Sequence, residues 1–206
     1  MPPNDSTEAD TRANYIDPAL RESNWKSENI VREYSFTDGR KLPGGRRGKR
    51  IQVDYLLKNN NINIGIIEAK KEELQPTEGL EQAKMYGKML GVDLVYSTNG
   101  HKIYEFSLSE GRGKYVDTYP TPDELFRRVA GDNHESKKKM AEPAYNTSSE
   151  KIPRYYQSNA INKTLEAIAD GEDRILLTLA TGTGKTFIAF QLVHKLFQSR
   201  WNKAGT

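Results

Sequence analysis

The segment Gln52–Lys71, Q-V-D-Y-L-L-K-N-N-N-I-N-I-G-I-I-E-A-K-K, constrains the fold more than any other stretch of the chain. Val53 to Leu57 is one apolar run, Lys58-Asn59-Asn60-Asn61 is a polar turn, and Ile62 to Ile67 is a second apolar run. That pattern predicts two strands joined as a hairpin. Asp54 falls within the first strand, and Glu68 and Lys70 stand at the end of the second. Strand side chains alternate, so Glu68 and Lys70 share a face and Ala69 points away. With the turn centred near Asn60 and Asn61, Asp54 lies about opposite Glu68. A slip of one residue would send the acids to opposite faces. Two carboxylates so placed suit Mg²⁺, which takes one or two acids together with waters and phosphate oxygens. A lysine beside them can orient a water or stabilise developing charge. The same residues also fit an ordinary charged strand end, and D-x(n)-E-x-K alone does not decide between the two.

The other elements follow in order. Thr7 to Asn14 has helical composition, and Asp17-Pro18 predicts a helix start with Asp17 as N-cap. Val31 to Phe36 predicts a strand, in which Glu33 reads as a solvent-facing residue or a third acid. Residues 39–50 form a glycine-rich basic loop that suits a phosphate backbone or merely solvent. Glu78 to Leu90 predicts a helix with Leu80, Ala83, Met85, Tyr86 and Met89 at helical spacing and Gly91 as its stop. On it Gln82 and Tyr86 are four apart and project together. Asp93 to Ser97 and Lys102 to Phe106 predict two strands around an Asn99-Gly100 turn, and Pro122 to Val129 a short helix.

Composition bounds the chemistry. The 206 residues contain no cysteine, which excludes disulfides and thiolate metal sites and agrees with a reducing cytoplasm. His101, His134 and His194 have no zinc-like spacing. No apolar run approaches the roughly 20 residues a membrane helix needs, and the N-terminus has no signal-like segment, so no membrane partner is expected. The net charge of +3 does not by itself mark a nucleic-acid binder.

The C-terminal quarter has its own organisation. Residues 131–150 are polar and predict a linker between domains. Gln157 to Ala169 predicts a helix, and Arg174 to Leu179 an apolar strand of parallel type. Ala180-Thr181-Gly182-Thr183-Gly184-Lys185-Thr186 then opens an apolar helix through about Phe197. Strand, glycine-rich turn ending G-K-T and helix form a P-loop pattern: backbone N–H groups cradle phosphates, Lys185 reaches the outer phosphates, and the Thr186 hydroxyl takes Mg²⁺. Leu179 stands where the longer signature has its first glycine.

Taken together these residues resemble a family. Asp54 with Glu68-Ala69-Lys70 resembles the PD-(D/E)xK nuclease motif, with Val53 in place of its proline, and Gln82 with Tyr86 resembles the QxxxY element of RecB-type nucleases. Ala180 to Thr186 resembles motif I of superfamily 2 helicases, whose usual form A-x-x-G-x-G-K-T needs no glycine at 179. Arg154-Tyr155-Tyr156-Gln157 resembles their adenine-reading glutamine motif. Nuclease first and motor second resembles the R (restriction and translocation) subunit of a type I restriction enzyme. Glu8-Ala9-Asp10-Thr11-Arg12 and Ile16-Asp17-Pro18-Ala19-Leu20 are similar to the start of such subunits.

The resemblance implies an α/β architecture: a PD-(D/E)xK nuclease-like mixed sheet flanked by helices over 1–130, a linker over 131–150, and the first strand, P-loop and helix of a RecA-like motor over 151–206. It implies Mg²⁺-dependent cleavage of double-stranded DNA, with Asp54 and Glu68 as metal ligands and Lys70, Gln82 and Tyr86 completing the catalytic set. It also implies ATP held by Arg154, Gln157, Thr181, Gly182, Thr183, Gly184, Lys185 and Thr186, methyltransferase and specificity subunits as partners, and a cytoplasmic location. The later helicase motifs are absent from these residues, so the chain reads as the N-terminal part of a longer subunit and is expected to be a poor ATPase alone. A type III-like or repair helicase-nuclease, or a non-catalytic DNA-binding platform for the motor, remain alternatives.

Overall fold

The computed structural model describes residues 7–37, 50–59, 61–148 and 152–201. The basic loop expected at 39–50 lies, except for Arg50, outside the described residues. Two compact units are distinguished, one of residues 1–59 with 63–129 and one of residues 60–62 with 130–206.

The first unit is built on a six-stranded mixed sheet, β1 (Ile30–Thr37), β2 (Arg50–Asn59), β3 (Ile62–Ala69), β4 (Leu94–Thr98), β5 (Ile103–Ser107) and β6 (Arg112–Val116), in that spatial order. β1 pairs antiparallel with β2, β3 runs parallel to β4, and β4, β5 and β6 pair antiparallel. The parallel step requires a crossover, supplied by α3 (Leu80–Leu90). Strand β6 carries no apolar alternation, R-G-K-Y-V, and was not expected from the sequence; it is an exposed edge.

Burial explains why the hairpin is so apolar. Tyr55, Leu56 and Leu57 in β2, and Ile64, Ile66, Ile67 and Ala69 in β3, are all inaccessible to solvent. Consecutive burial means that both faces of these strands are covered, the condition that favours unbroken apolar runs. Glu68 lies inside this run and is itself buried. From α3, Ala83, Tyr86, Gly87 and Leu90 are buried, one stripe at spacings of three and four. Met85, expected on that stripe, is exposed. Gly91 ends the helix at φ +67, the left-handed geometry glycine adopts without strain.

The N-terminal segment is helical from Glu8 to Glu22. Thr7 caps α1 (Glu8–Thr11) in a reciprocal pair with Asp10, a π-helical turn follows at Arg12–Ile16, and α2 (Asp17–Glu22) completes it. Asp17 is therefore not the N-cap expected from Asp17-Pro18, because the chain before it is already helical. Its carboxylate instead accepts the Tyr55 hydroxyl at 2.9 Å and pairs with Arg32 at 2.6 Å. Ile16 and Leu20 are buried, and the Trp25 indole N–H donates to the Pro120 carbonyl at 2.8 Å.

The turn between β4 and β5 clamps this helix. Gly100 has φ +91, and a Cβ there would lie 2.9 Å from Tyr15 Cβ and 3.0 Å from Thr11 Cγ2. Gly100→Ala combines a strained backbone with a steric clash, so it is expected to destabilise the unit by about 2 kcal/mol or more, read as a lowered melting temperature.

In the second unit, α5 (His134–Ala141), α6 (Tyr155–Ala169) and α7 (Lys185–Gln198) pack around Met140, Ile161, Leu165 and Ile188. The segment expected to be a linker thus contains a helix whose Met140 joins this core. Arg174–Leu179 is not the strand expected from its composition. An apolar parallel strand is held by neighbours on both sides, and this segment pairs with no strand among the described residues. Leu176 is 90% exposed, and Val193 and Phe197 on α7 are 67% and 72% exposed. Lys195, also on α7, is fully buried: its ammonium donates to the carbonyls of Ala141 and Pro143 and lies 4.6 Å from the Tyr145 ring centre. Burial pulls its pKa down to about 8. No helix among the described residues is long and apolar enough to cross a membrane.

Candidate active site

The end of β3 brings the hairpin acids and the lysine together. Asp54 on β2 reaches the neighbouring strand, where its Oδ2 accepts the Ala69 N–H at 2.8 Å. Glu68 Oε1 accepts from Lys70 Nζ at 3.3 Å, and the same ammonium donates to Gln82 Oε1 at 3.4 Å. Gln82 Nε2 donates in turn to the Tyr86 hydroxyl at 2.8 Å. The ammonium can only donate, which fixes the amide orientation: Gln82 presents its oxygen to Lys70, shares the ammonium with Glu68 and leaves its NH2 for the Tyr86 hydroxyl. Glu68, Lys70, Gln82 and Tyr86 thus form one hydrogen-bonded chain, and Asp54, held on the backbone N–H of Ala69 between Glu68 and Lys70, stands beside it.

The electrostatics follow from burial. Glu68 is pushed up to about 8, first by desolvation and then by the Asp54 charge, with Lys70 pulling the other way. Asp54 is also raised, by its burial, although the Ala69 N–H and Arg12 oppose this. Burial pulls Lys70 down, but Glu68, Glu8 and Asp54 outweigh it and its pKa rises. Each carboxylate has a cation beside it, Arg12 for Asp54 and Lys70 for Glu68, yet burial still outweighs both in favouring the protonated acids.

Four residues were not singled out for the site from sequence. Arg12 donates Nη1 to Asp54 Oδ1 at 2.9 Å and Nη2 to Glu33 Oε1 at 3.3 Å. Glu8 lies 3.7 Å from Lys70 Nζ. The four-residue spacing of Glu8 and Arg12 was the available signal, since such residues share one side of a helix. Ser97 is the register partner of Glu68 on β4. Glu68 Oε2 and the Ser97 hydroxyl are both buried without a hydrogen-bond partner. A Cβ on Gly79 would stand 2.8 Å from Ser97 Oγ and 2.9 Å from Glu68 Cγ, so the backbone before α3 closes directly over them. No sequence signal marked Ser97 or Gly79.

An orphaned buried carboxylate oxygen beside a second carboxylate is costly unless a cation satisfies it. The donor set is all oxygen, which fits Mg²⁺. Among the described residues no group of three or more His, Cys, Asp or Glu could hold a metal. Asp54 and Glu68 would offer two carboxylates, the one or two that Mg²⁺ commonly takes beside waters and phosphate oxygens.

The glycine-rich turn in the second unit is a separate site. Gly182 and Gly184 have φ +77 and +85, and Gly184 is the N-cap of α7, which begins at Lys185. Gln157 Nε2 donates to the Thr183 carbonyl at 2.8 Å, and Gln157 Oε1 accepts the Arg154 N–H at 2.9 Å. A Cβ on Gly184 would lie 2.6 Å from Gln157 Nε2 and would push that amide aside, while the φ of +85 is what favours glycine there. The Arg154 guanidinium turns to the Tyr156 hydroxyl at 3.2 Å. Thr181, Lys185 and Thr186 are exposed at the mouth of the turn.

With this geometry in view, similarity to known proteins becomes informative. The family model "Type III restriction enzyme, res subunit" matches residues 150–204. That match likens the C-terminal quarter to restriction-enzyme subunits. The rest of the chain narrows it. The Type I restriction enzyme EcoAI endonuclease subunit of Escherichia coli is 33% identical over 96% of this chain, and the EcoKI endonuclease subunit of strain K12 is 23% identical over 90%. A solved fragment structure described as an HsdR subunit of a type I restriction enzyme from Vibrio vulnificus YJ016 superposes on 97% of the chain with a TM-score of 0.83 and 40% identity. The chain belongs to the endonuclease (HsdR-type) subunits of type I restriction enzymes. It spans about a quarter of the length of its curated relatives, 26% of one and 21% of the other, and 39% of the solved fragment.

Proposed function

We propose that residues 1–130 are a PD-(D/E)xK-type nuclease domain that cleaves double-stranded DNA with Mg²⁺. In the same reading, residues 131–150 are the connection and 151–206 begin an ATP-driven, RecA-like translocase. The observation that carries this reading is Glu68: a buried carboxylate with one free oxygen, beside Asp54 and Lys70. A purely structural acid at that position would be satisfied by hydrogen bonds.

Asp54 and Glu68 would hold the metal. When bound, it lowers the pKa of a ligand water and offsets charge on the phosphoryl group. Lys70, held between Glu68 and Gln82, would orient the attacking water and stabilise the charge that builds on the phosphate oxygens. Water attacks phosphorus and the bond to the leaving sugar oxygen breaks. Gln82 and Tyr86 act through Lys70 and are positioning residues. In the second unit, the Gly182–Gly184 turn and Lys185 would take the nucleotide phosphates and Thr186 a Mg²⁺, with Gln157 and Arg154 on the adenine side. A specificity subunit, in a cytoplasmic complex that also holds methyltransferase subunits, would supply target recognition. The type III family model over residues 150–204 leaves a type III-like motor as the second reading of that segment, against type I relatives across nearly the whole chain.

Lys70→Ala in the assembled enzyme tests the reading. DNA cleavage is expected to fall by at least about 100-fold, the scale of losing one preorganised charge-stabilising donor, with ATP hydrolysis unchanged. Undiminished cleavage would leave the acids structural and favour the platform alternative.

A further inference from the structure

We propose that Arg12 is a built-in counter-ion of the metal site: it occupies Asp54 when no metal is bound and withdraws to Glu33 when one is. The inference rests on the nuclease reading and adds a device that controls metal entry.

The two oxygens of Asp54 are not equivalent. Oδ2 is committed to the Ala69 N–H, leaving Oδ1 as the oxygen open to a cation. Arg12 Nη1 stands on Oδ1 at 2.9 Å. A guanidinium at that distance and a divalent cation bound to the same oxygen compete for one position and repel each other. Arg12 must give way, and it has a place to go. Its Nη2 already reaches Glu33 Oε1 at 3.3 Å, and the Glu33 side chain is 58% exposed, at the rim and open to water.

Two features of the backbone indicate that this arrangement is built. β1 pairs Arg32 with Tyr55 and Tyr34 with Val53, so Glu33 stands across from Asp54. In a regular ladder their side chains would face each other as like charges. Instead Glu33 has φ +50, a left-handed conformation unusual for a non-glycine residue in a strand, and Arg12 bridges the two acids. Arg12 itself opens the π-helical turn Arg12–Ile16, a distortion frequent at functional sites. The bridge keeps the carboxylates compatible in the metal-free protein, and Glu33 shares the guanidinium so that it is not locked on Asp54.

The test is calorimetric titration of the 206-residue chain with Mn²⁺ alone, without DNA, with Asp54→Asn identifying the heat that belongs to this site. Arg12→Gln is expected to tighten Mn²⁺ binding about tenfold. Glu33→Gln, which leaves Arg12 leaning wholly on Asp54, is expected to weaken it several-fold. The double variant should match Arg12→Gln, because Glu33 acts only through Arg12. Asp54-dependent binding that Arg12→Gln leaves unchanged or weakens overturns the latch alone. A Glu33 effect that persists without Arg12 overturns it as well, because Glu33 would then act on the metal directly. No Asp54-dependent binding in any variant overturns the nuclease reading and the latch together. If Arg12→Gln fails to fold by circular dichroism, Glu33→Gln, a substitution at an exposed side chain, decides: unchanged or tighter binding overturns the proposal.

Discussion

Glu68→Gln is expected to lower DNA cleavage by the assembled enzyme by about 10³-fold, roughly 4 kcal/mol of barrier, measured as the rate of DNA linearisation at saturating ATP and Mg²⁺. The substitution preserves size and one oxygen, so it removes little packing. What it removes is the anion. Of the two carboxylates, Glu68 is the buried one and has an unpartnered oxygen, whereas half-buried Asp54 has its Oδ2 on a backbone N–H and its Oδ1 on Arg12. An amide cannot replace a carboxylate as a ligand to a hard cation, and Lys70 would lose its charged partner at the same time. ATP hydrolysis should be retained, because the P-loop residues belong to the other unit. Cleavage at the wild-type rate would mean that the buried acid has no part in the chemistry.

The second large effect concerns stability, and its sign is opposite. In the unfolded chain Glu68 titrates near 4.5; in the folded protein burial and Asp54 push it up to about 8. The folded pKa is the higher one, so the stability this group contributes is fully present below about pH 4.5 and is lost as pH rises through about 8. Each pKa unit is worth about 1.4 kcal/mol, which puts the loss on the order of several kcal/mol for the metal-free protein. The melting temperature of the wild type should therefore fall, relative to Glu68→Gln, between about pH 5 and about pH 8. Asp54 is raised in the same direction, but it is present in both proteins, so the difference between their curves isolates Glu68. Saturating Mg²⁺ should remove most of that difference, because cation binding requires the ionised form and stabilises the folded state. Parallel curves with and without metal would sink this account of the site. A variant that loses catalysis while gaining stability at alkaline pH is the expected behaviour of a buried acid retained for function.

Much of this architecture was readable because strand and helix periods dominate it. The hairpin, the crossover helix with Gln82 and Tyr86 on one side, and the turn at Asn99-Gly100 all follow from apolar spacing and turn chemistry. The convergence of Asp54, Glu68 and Lys70 was legible too, since alternation along adjacent strands leaves few registers. What was not legible depends on distant packing. Arg12 reaches Asp54 across 42 positions of sequence, and Ser97 meets Glu68 only because β4 lies parallel to β3. Asp17-Pro18 looked like a helix start because local cap chemistry cannot reveal that the preceding residues are already helical. Arg174–Leu179 read as a strand from composition, but a strand exists only where a neighbour completes its ladder.

The π-helical turn has a consequence for how this chain can vary. Such a turn is in effect one residue inserted into an α-helix, and each residue of an α-helix advances about 100° around the axis. It absorbs that extra residue locally, so the half that carries Ile16 and Leu20 to the core and the half that carries Glu8 and Arg12 to the site keep their facings on either side of it. Loss of a single residue between Arg12 and Ile16 would return the turn to regular α-helix with both halves still close to their present facings, whereas a further inserted residue would have no such turn to absorb it, so this short stretch should tolerate a one-residue deletion better than a one-residue insertion.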